Sequence, residues 1–262
     1  MSVTSIGSNL VHYEALGHGQ PIIFVHGWLG SWRYWWPSMQ TLSKANKTFA
    51  LDLWGFGDSS RDRSRYSLTS YFELLEQFVE TLGIARPFAL IGHALGSAVS
   101  LRYSSMHPAH ISRLVLVSFP VSGNFINDQL QGMDSQSFVD RYLGKSNSHL
   151  EVELEAHKTD PAAMNSTARE LIRYSFEDEL LEPPFPVLMI SGEQDAIVRR
   201  PTVDPLDRWP DGTRTFEVVL ENCGHFPMLE NPAVFNRLLQ DFIHGDDHVN
   251  LGPKQYWQRR TR

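Results

Sequence analysis

Cysteine is almost absent from this chain of 262 residues, and its single Cys223 has no partner for an internal disulfide. No apolar run approaches the ~20 residues of a membrane-spanning helix, and residues 1–16 lack the basic start and apolar centre of a signal peptide. Repeats, low-complexity tracts, dinucleotide fingerprints and phosphate loops are missing as well. These absences favour a cytoplasmic protein without a membrane span, whose stability depends on a hydrophobic core.

Basic residues are in the minority, with 23 lysines and arginines against 30 aspartates and glutamates, giving a net charge of −7. Residues 121–185 contain 12 acidic and 5 basic side chains, so this one segment carries the whole excess. Because an acidic surface repels phosphate backbones, we expect no nucleic-acid partner. His149 and His157 lie in the same segment without metal-type spacing, and we expect neither a metal nor a cofactor. The sequence leaves the oligomeric state open.

Short apolar runs alternate with helical patterns along the chain. Most runs are continuous and end at Gly, Ser, His or Asp, which is typical of parallel strands buried on both faces. The predicted strands are Ile22–Val25, Thr48–Leu51, Pro87–Ile91, Leu114–Val117, Val187–Ile190 and Thr215–Leu220. The clearest helical pattern covers residues 68–82 and is followed by Gly83. This alternation predicts an α/β fold with a mostly parallel, doubly wound sheet.

One long stretch interrupts the alternation. Between Phe119 and Phe185 no buried-strand run occurs. Helical patterns occur there instead, around residues 138–143, 149–157 and 168–181. We therefore expect residues 1–120 and 186–262 to form the core and residues 121–185 to form a helical cap. Ligands of open α/β sheets bind outside the carboxyl ends of the strands, so a cap inserted there would cover the ligand crevice.

The sequence Gly92-His93-Ala94-Leu95-Gly96 follows one predicted strand and precedes a predicted helix over residues 97–106. Small residues at both ends permit a sharp strand-to-helix turn that presents its central residue to the crevice. The next backbone N–H then lies at a helix N-terminus, where developing negative charge is favoured. This is the pattern of a nucleophile elbow, with Ala94 in the position from which serine would attack.

Two further strands end near residues that could complete such a site. Asp195 follows the predicted strand 187–190, and His225 follows the predicted strand 215–220. Because the carboxyl ends of parallel strands share one edge of the sheet, the two side chains can meet above it. The aspartate would fix the imidazole tautomer, and the imidazole would act as a general base.

The sequence resembles the α/β-hydrolase-fold proteins that carry a helical cap, from about residue 13 to residue 243. The motifs are His26-Gly27-Trp28, Asp52-Leu53-Trp54-Gly55-Phe56-Gly57-Asp58-Ser59, the elbow, the Gly192-x-x-Asp195 turn and Gly224-His225. The resemblance implies a triad at positions 94, 195 and 225, in that chain order. It also implies an oxyanion hole made by the backbone N–H groups of Trp28 and Leu95, and a structural role for Asp52. We expect His26 and His93 to support the loop and the elbow.

The sequence departs from the serine-hydrolase pattern at Ala94. A methyl group cannot attack a carbonyl carbon, so no acyl-enzyme forms on this residue. Two accounts stay open: an alanine introduced into a serine hydrolase to trap a ligand, or a native alanine in a protein whose chemistry was lost or changed. The surrounding Gly-His-x-Leu-Gly favours the first, because relatives with an aspartate nucleophile usually have Asp-Trp after the histidine.

Aromatic residues are concentrated after the expected oxyanion loop, with five of them among residues 28–36. Some are expected to pack in the core, and others to line an apolar pocket that takes a hydrophobic small molecule. The candidate pocket residues are Trp28, Trp35, Trp36, Trp54, Phe119 and Met228.

The sequence therefore predicts a hydrolase of a hydrophobic carboxylic ester or related acyl compound that lacks its nucleophile in this form. Two alternatives belong to other classes. One is a non-catalytic small-molecule binding protein that retains the pocket. The other is a cofactor-free lyase or oxygenase that uses His225 and Asp195 as a base pair.

Overall fold

A computed structural model describes residues 2–130, 132–143, 149–200 and 214–245 of the chain. Its strands form one sheet in the order β1-β2-β4-β3-β5-β6-β7-β8. They are β1 Ser2–Ile6, β2 Asn9–Gly17, β3 Gln20–Val25, β4 Asn46–Leu51, β5 Phe88–His93, β6 Ile111–Val117, β7 Val187–Gly192 and β8 Thr215–Leu220. The neighbouring pairs from β4 to β8 in this order are parallel, and the β1/β2 and β2/β4 pairs are antiparallel. The predicted α/β class and mostly parallel sheet are confirmed.

The helices of the described residues follow the predicted alternation in the first half of the chain. They are α1 Trp36–Leu42, α2 Leu68–Thr81, α3 Leu95–Met106, α4 Ser135–Phe138, α5 Leu150–Ala156, α6 Pro161–Leu171, α7 Glu177–Leu180, α8 Pro227–Glu230 and α9 Pro232–His244. Helix α2 matches its predicted range because Ser67 caps it, accepting from the Ser70 N–H, and Gly83 ends it with a φ of 58°.

The sequence prediction is wrong about one helix in the segment between β6 and β7. Instead of a helix over residues 168–181, the structure has α6, which ends at Leu171, and the separate short α7. Helix α6 starts at Pro161 because the Asp160 carboxylate caps it, accepting from the Ala162 N–H at 2.9 Å. An Asp-Pro pair is a start signal, which the apolar spacing alone did not show.

Residues 121–185 contain helices and turns and no strand within the part that is described. Several hydrogen bonds join α6 and the loop before it to the core. The Asp160 N–H donates to the Gly55 carbonyl at 2.7 Å, and the Leu68 N–H donates to the Glu170 carboxylate at 2.8 Å. The division into a core (1–120 and 186–262) and a cap (121–185) stays a prediction. Among the described helices, none combines the length and the hydropathy that crossing a bilayer requires.

Candidate active site

Ala94 occupies the sharp turn between β5 and α3. Its backbone has φ 47° and ψ −110°, and its side chain is fully buried. A residue with a Cβ in this conformation stores about 1–3 kcal/mol of strain, which the surrounding structure must hold. Here the Ala94 N–H donates to the Val117 carbonyl at 2.9 Å, and its carbonyl accepts from the Ser97 N–H at 3.0 Å. The turn therefore has the strained backbone of a nucleophile elbow, although the side chain is a methyl group.

The loop that follows β3 passes directly beside this elbow. A Cβ added to Gly27 would lie 2.9 Å from the Ala94 methyl and 2.8 Å from the His93 carbonyl oxygen. Only glycine fits there, because such Cβ contacts are below van der Waals separation. The His26 Nδ1–H donates to the Gly27 carbonyl at 2.8 Å, while Nε2 accepts from the Leu53 N–H at 2.9 Å. His26 thus fastens the loop to the chain after β4.

The two expected oxyanion donors lie on either side of this contact. Trp28 follows Gly27 in the loop, and Leu95 is the first residue of α3, whose first amide groups have no acceptor inside the helix. Among the described residues, neither amide N–H donates to a backbone carbonyl elsewhere in the loops. Their role as oxyanion donors stays a prediction.

His225 and Asp195 are in hydrogen-bond contact at the carboxyl ends of β7 and β8. The His225 Nδ1 lies 2.9 Å from Asp195 Oδ2 and 3.1 Å from Oδ1. Burial alone would raise the pKa of Asp195, but the His225 imidazole and the backbone N–H groups of Val198 and Ile197 lower it below its ordinary value. The ionised carboxylate accepts from Nδ1–H and so fixes the imidazole tautomer.

Within the described part of the chain, the other imidazole nitrogen of His225 has no hydrogen-bond partner. With the proton on Nδ1, Nε2 is an acceptor, and it is buried without a hydrogen bond among the residues that the structure describes. Buried polar atoms are nearly always paired, so this one indicates a place for a ligand, a water or a nucleophile.

The backbone around His225 is held by polar contacts on both sides. The amides of Gly224 and Phe226 both donate to the Glu230 carboxylate, the second at 3.0 Å. The His225 carbonyl accepts from His93 Nε2–H at 2.8 Å and from the Ser118 hydroxyl at 3.1 Å. These bonds fix the height of the imidazole above the sheet.

Asp52 has the structural contacts that the resemblance implies. Its carboxylate accepts from the Trp32 N–H at 2.7 Å and the Asp58 N–H at 3.0 Å, and contacts His12 Nδ1 at 2.9 Å. His12, Asp52 and Asp58 lie close enough to share a cation. The Lys158 ammonium pairs with Asp58 at 3.0 Å, so a positively charged side chain of the protein already lies beside these carboxylates.

The candidate pocket residues divide into two sets. Trp28 is fully buried, and its indole N–H donates to the Thr167 hydroxyl of α6 at 3.0 Å, so it lies where core and inserted segment meet. Trp54, Phe119 and Met228 are also buried, near the ends of β4 and β6 and on α8. Trp35 instead packs on Phe24 and Phe235, with ring centroids 5.1 Å and 6.4 Å apart. Trp36 stands edge-on to Trp32 at 5.7 Å.

Sequence reasoning did not assign roles to Tyr34, Ser118, Glu230 or Thr167, which contact the candidate site residues. Tyr34 was visible only as one member of the aromatic group. Glu230 and Ser118 had no signal, because nothing in their spacing indicates which backbone groups the fold places beside them.

Residues 20–161 match the family described as alpha/beta hydrolase fold, and the chain belongs to that family. Similar sequences include a monoacylglycerol lipase of Xenopus laevis, 24% identical over 87% of this chain and 76% of its own. A pimeloyl-[acyl-carrier protein] methyl ester esterase of Aeromonas salmonicida is 26% identical over 89% and 99%.

The fold is also shared with solved structures of low sequence identity. A thermophilic esterase from Thermogutta terrifontis aligns with a TM-score of 0.76 and 17% identity, over 94% of this chain and 97% of the other. A bromoperoxidase from Bacillus anthracis aligns with a TM-score of 0.75 and 21% identity, over 90% and 95%. The resemblance drawn from the motifs is confirmed at the level of the family, whose relatives here include esterases and lipases.

Proposed function

We propose that this chain carries the acyl-transfer site of a hydrolase for hydrophobic, uncharged carboxylic esters or related acyl compounds, with residue 94 as the nucleophile position. The main observation behind this proposal is the buried His225 Nε2: it has no hydrogen-bond partner among the described residues, while Nδ1 contacts the Asp195 carboxylate. With Nδ1 hydrogen-bonded to the carboxylate, Nε2 of the imidazole can accept a proton and so act as a general base. The esterase and lipase relatives support an acyl ester as the substrate class.

The proposed mechanism requires a serine hydroxyl at residue 94. Its oxygen attacks the acyl carbon while Nε2 of His225 takes the proton, and Asp195 stabilises the imidazolium that forms. The amides of Trp28 and Leu95 donate to the oxyanion. The imidazolium then protonates the leaving alkoxide, and a water deprotonated by His225 hydrolyses the acyl-enzyme. No step requires a cofactor.

With Ala94 the same site can bind the acyl group but cannot form the covalent bond. Loss of a triad serine costs on the order of 10⁶ in turnover, and ~10³–10⁴ over water remains from binding and the oxyanion hole. Trp28, Trp54, Phe119 and Met228 form the proposed apolar wall. Trp35 and Trp36 are left out of it because their contacts lie in the core and beside Trp32. The cap role of residues 121–185 and a cytoplasmic location belong to the same proposal.

The test is hydrolysis of p-nitrophenyl butyrate by the chain itself, by its Ala94→Ser variant and by Ala94→Ser/His225→Ala. Only Ala94→Ser has both the nucleophile and the base. We therefore expect its turnover to exceed that of the unchanged chain and of the double variant by at least about 10³-fold. A folded Ala94→Ser protein that cleaves no acyl ester would overturn the proposal.

The methyl group at residue 94 also favours a second candidate, a binding protein that retains the acyl pocket without turnover. Tight binding of a hydrophobic acyl compound by the chain, with no gain of activity in Ala94→Ser, would support it. The third alternative, a cofactor-free lyase or oxygenase, requires activity in the Ala94 form that His225→Ala abolishes.

A further inference from the structure

A buried chain of hydrogen bonds joins the oxyanion loop to the catalytic-type histidine, and the proposed acyl-transfer steps do not use it. The Gly27 N–H donates to the Tyr34 hydroxyl at 2.6 Å, and that hydroxyl contacts His93 Nδ1 at 3.0 Å. The His93 Nε2 in turn lies 2.8 Å from the His225 carbonyl oxygen. Tyr34 and His93 are both buried, and a buried polar group that loses its hydrogen-bond partner costs free energy.

The donor and acceptor of each hydrogen bond in this series follow from the two groups at its ends, the Gly27 amide and the His225 carbonyl. A carbonyl oxygen only accepts, so His93 carries its proton on Nε2 and leaves Nδ1 as an acceptor. A backbone amide only donates, so the Tyr34 oxygen accepts from Gly27 and its own proton points to Nδ1. All four groups are satisfied in one arrangement, with a neutral imidazole at its centre. Burial and the neighbouring His225 lower the pKa of His93 well below its ordinary value, which keeps it neutral.

The two ends of this series of hydrogen bonds belong to the oxyanion loop and to the histidine loop, which must keep a constant separation for the proposed reaction. Gly27 immediately precedes Trp28, whose amide is the proposed oxyanion donor, and the His225 carbonyl belongs to the residue that carries the base. A displacement of about 1 Å between such groups can cost about 10²-fold in rate. Since the loop and the histidine follow different strands, β3 and β8, neighbouring backbone does not by itself set their distance.

We propose that Tyr34 and His93 are positioning residues, which hold the oxyanion loop and His225 in mutual register through this chain. The proposal rests on the proposed function of the site for its effect on rate. Its effect on the His225 imidazole is independent of turnover and exists in the chain with Ala94.

The main variant is Tyr34→Phe, which keeps the ring and removes only the hydroxyl. Tyr103→Phe is the matched control, because the Tyr103 hydroxyl also contacts a histidine, His110 Nδ1 at 2.9 Å, away from residues 94, 195 and 225. The first readout is the downfield proton resonance of His225 Nδ1–H in the Ala94 protein, assigned by its loss in His225→Ala. We expect Tyr34→Phe to shift or broaden this resonance and Tyr103→Phe to leave it unchanged.

The second readout is kinetic, in the Ala94→Ser background with p-nitrophenyl butyrate. We expect Tyr34→Phe to lower kcat by about 10- to 100-fold with KM within about twofold, and Tyr103→Phe to change neither. His93→Gln is a second variant, in which the amide N–H can still reach the His225 carbonyl, and it should keep more of kcat than His93→Leu.

An unchanged resonance together with unchanged kcat in folded Tyr34→Phe would overturn the positioning role. Should Ala94→Ser prove inactive while Tyr34→Phe still moves the resonance, the proposed function fails and the positioning of His225 stands. If Tyr34→Phe does not fold, the His93→Gln and His93→Leu pair decides: equal resonances and equal kcat in both would contradict the proposal.

Discussion

At the scale of single residues, Ala94 combines the backbone conformation of a nucleophile elbow with an unreactive methyl side chain. A φ of 47° is unfavourable for any residue with a Cβ. The alanine methyl group forms no hydrogen bond that could offset this strain. The strain is held by the strand-end bonds of Ala94 and by the close passage of Gly27. The elbow is therefore a property of the surrounding fold, and we expect Ala94→Ser to enter it without rearrangement.

Buried neutral histidines give the protein a pH-dependent stability. Burial lowers the pKa of His26 and of His93, so the folded state stays neutral where the unfolded state, with a pKa near 6.5, takes up protons. The unfolded state then binds more protons, and stability falls as the pH drops below about 6.5, by up to about 1.4 kcal/mol per pH unit for each histidine. His12 opposes this in part: burial lowers its pKa, but the hydrogen bond to Asp52 and the charges of Asp52, Asp58 and Glu14 together raise it above its ordinary value.

Urea unfolding at about pH 7.5 and about pH 5.5 measures this effect. We expect a smaller free energy of unfolding at the lower pH, and a smaller difference between the two in His93→Asn, which has one titrating histidine fewer. Equal stability of the chain at both values would contradict the assignment of neutral, buried imidazoles.

At the scale of secondary structure elements, the site is assembled where strands end and helices begin. The sequence predicted six strands and the order of the motifs at their carboxyl ends, because buried parallel strands are continuous apolar runs. It did not predict β1, whose residues alternate between partly buried and exposed positions, as an antiparallel edge allows. It also did not predict β2, where Val11 and His12 are buried next to each other and most other residues are only partly buried, so that no continuous apolar run forms. The contacts of Glu230 and Ser118 with the His225 loop were unpredictable as well, since they depend on which loops the sheet brings together.

Helix α8 fixes the histidine loop through one side chain. The Glu230 carboxylate accepts hydrogen bonds from the backbone N–H groups of Gly224 and Phe226, and His149 Nε2 lies 3.3 Å from the same carboxylate. Glu230→Ala would leave these two amides, whose hydrogen bonds are partly buried, without their acceptor, at ~1–3 kcal/mol for each unsatisfied group.

We therefore expect Glu230→Ala to lower the free energy of unfolding by about 2–4 kcal/mol in urea titration, and Glu230→Gln, which retains one acceptor oxygen, by less. Glu221→Ala is the matched control, because Glu221 is exposed next to the same loop and should stay within about 0.5 kcal/mol. Equal stabilities of Glu230→Ala and Glu221→Ala would show that the carboxylate does not hold the loop.

At the scale of the whole molecule, one core extends through both faces of the sheet and into the inserted segment. Residues of α6 such as Ala163, Met164 and Ala168 are as fully buried as the central strand β5. The fold class could be predicted, because it depends on the order of apolar runs, whereas the division into core and cap stays a prediction. The docking of α6 could not be predicted, because it depends on individual bonds such as Trp28 to Thr167.

Cys223 reports on the integrity of this core. Its thiol is buried, and burial together with the Glu230 charge raises its pKa to about 11. A buried, protonated thiol reacts slowly, so we expect no labelling by Ellman's reagent in the native protein at about pH 8 and one labelled thiol in concentrated guanidinium chloride. Rapid labelling of the native protein would show that the loop before His225 opens without global unfolding.

The most direct test of the central claim is the intact mass after treatment with a fluorophosphonate. Three proteins are compared: the chain itself, Ala94→Ser, and Ala94→Ser/His225→Ala. If residue 94 is the nucleophile position of a complete acyl-transfer site, one adduct forms on Ala94→Ser and none forms on the other two. A folded Ala94→Ser protein that stays unlabelled, or an adduct that forms equally well without His225, would contradict it.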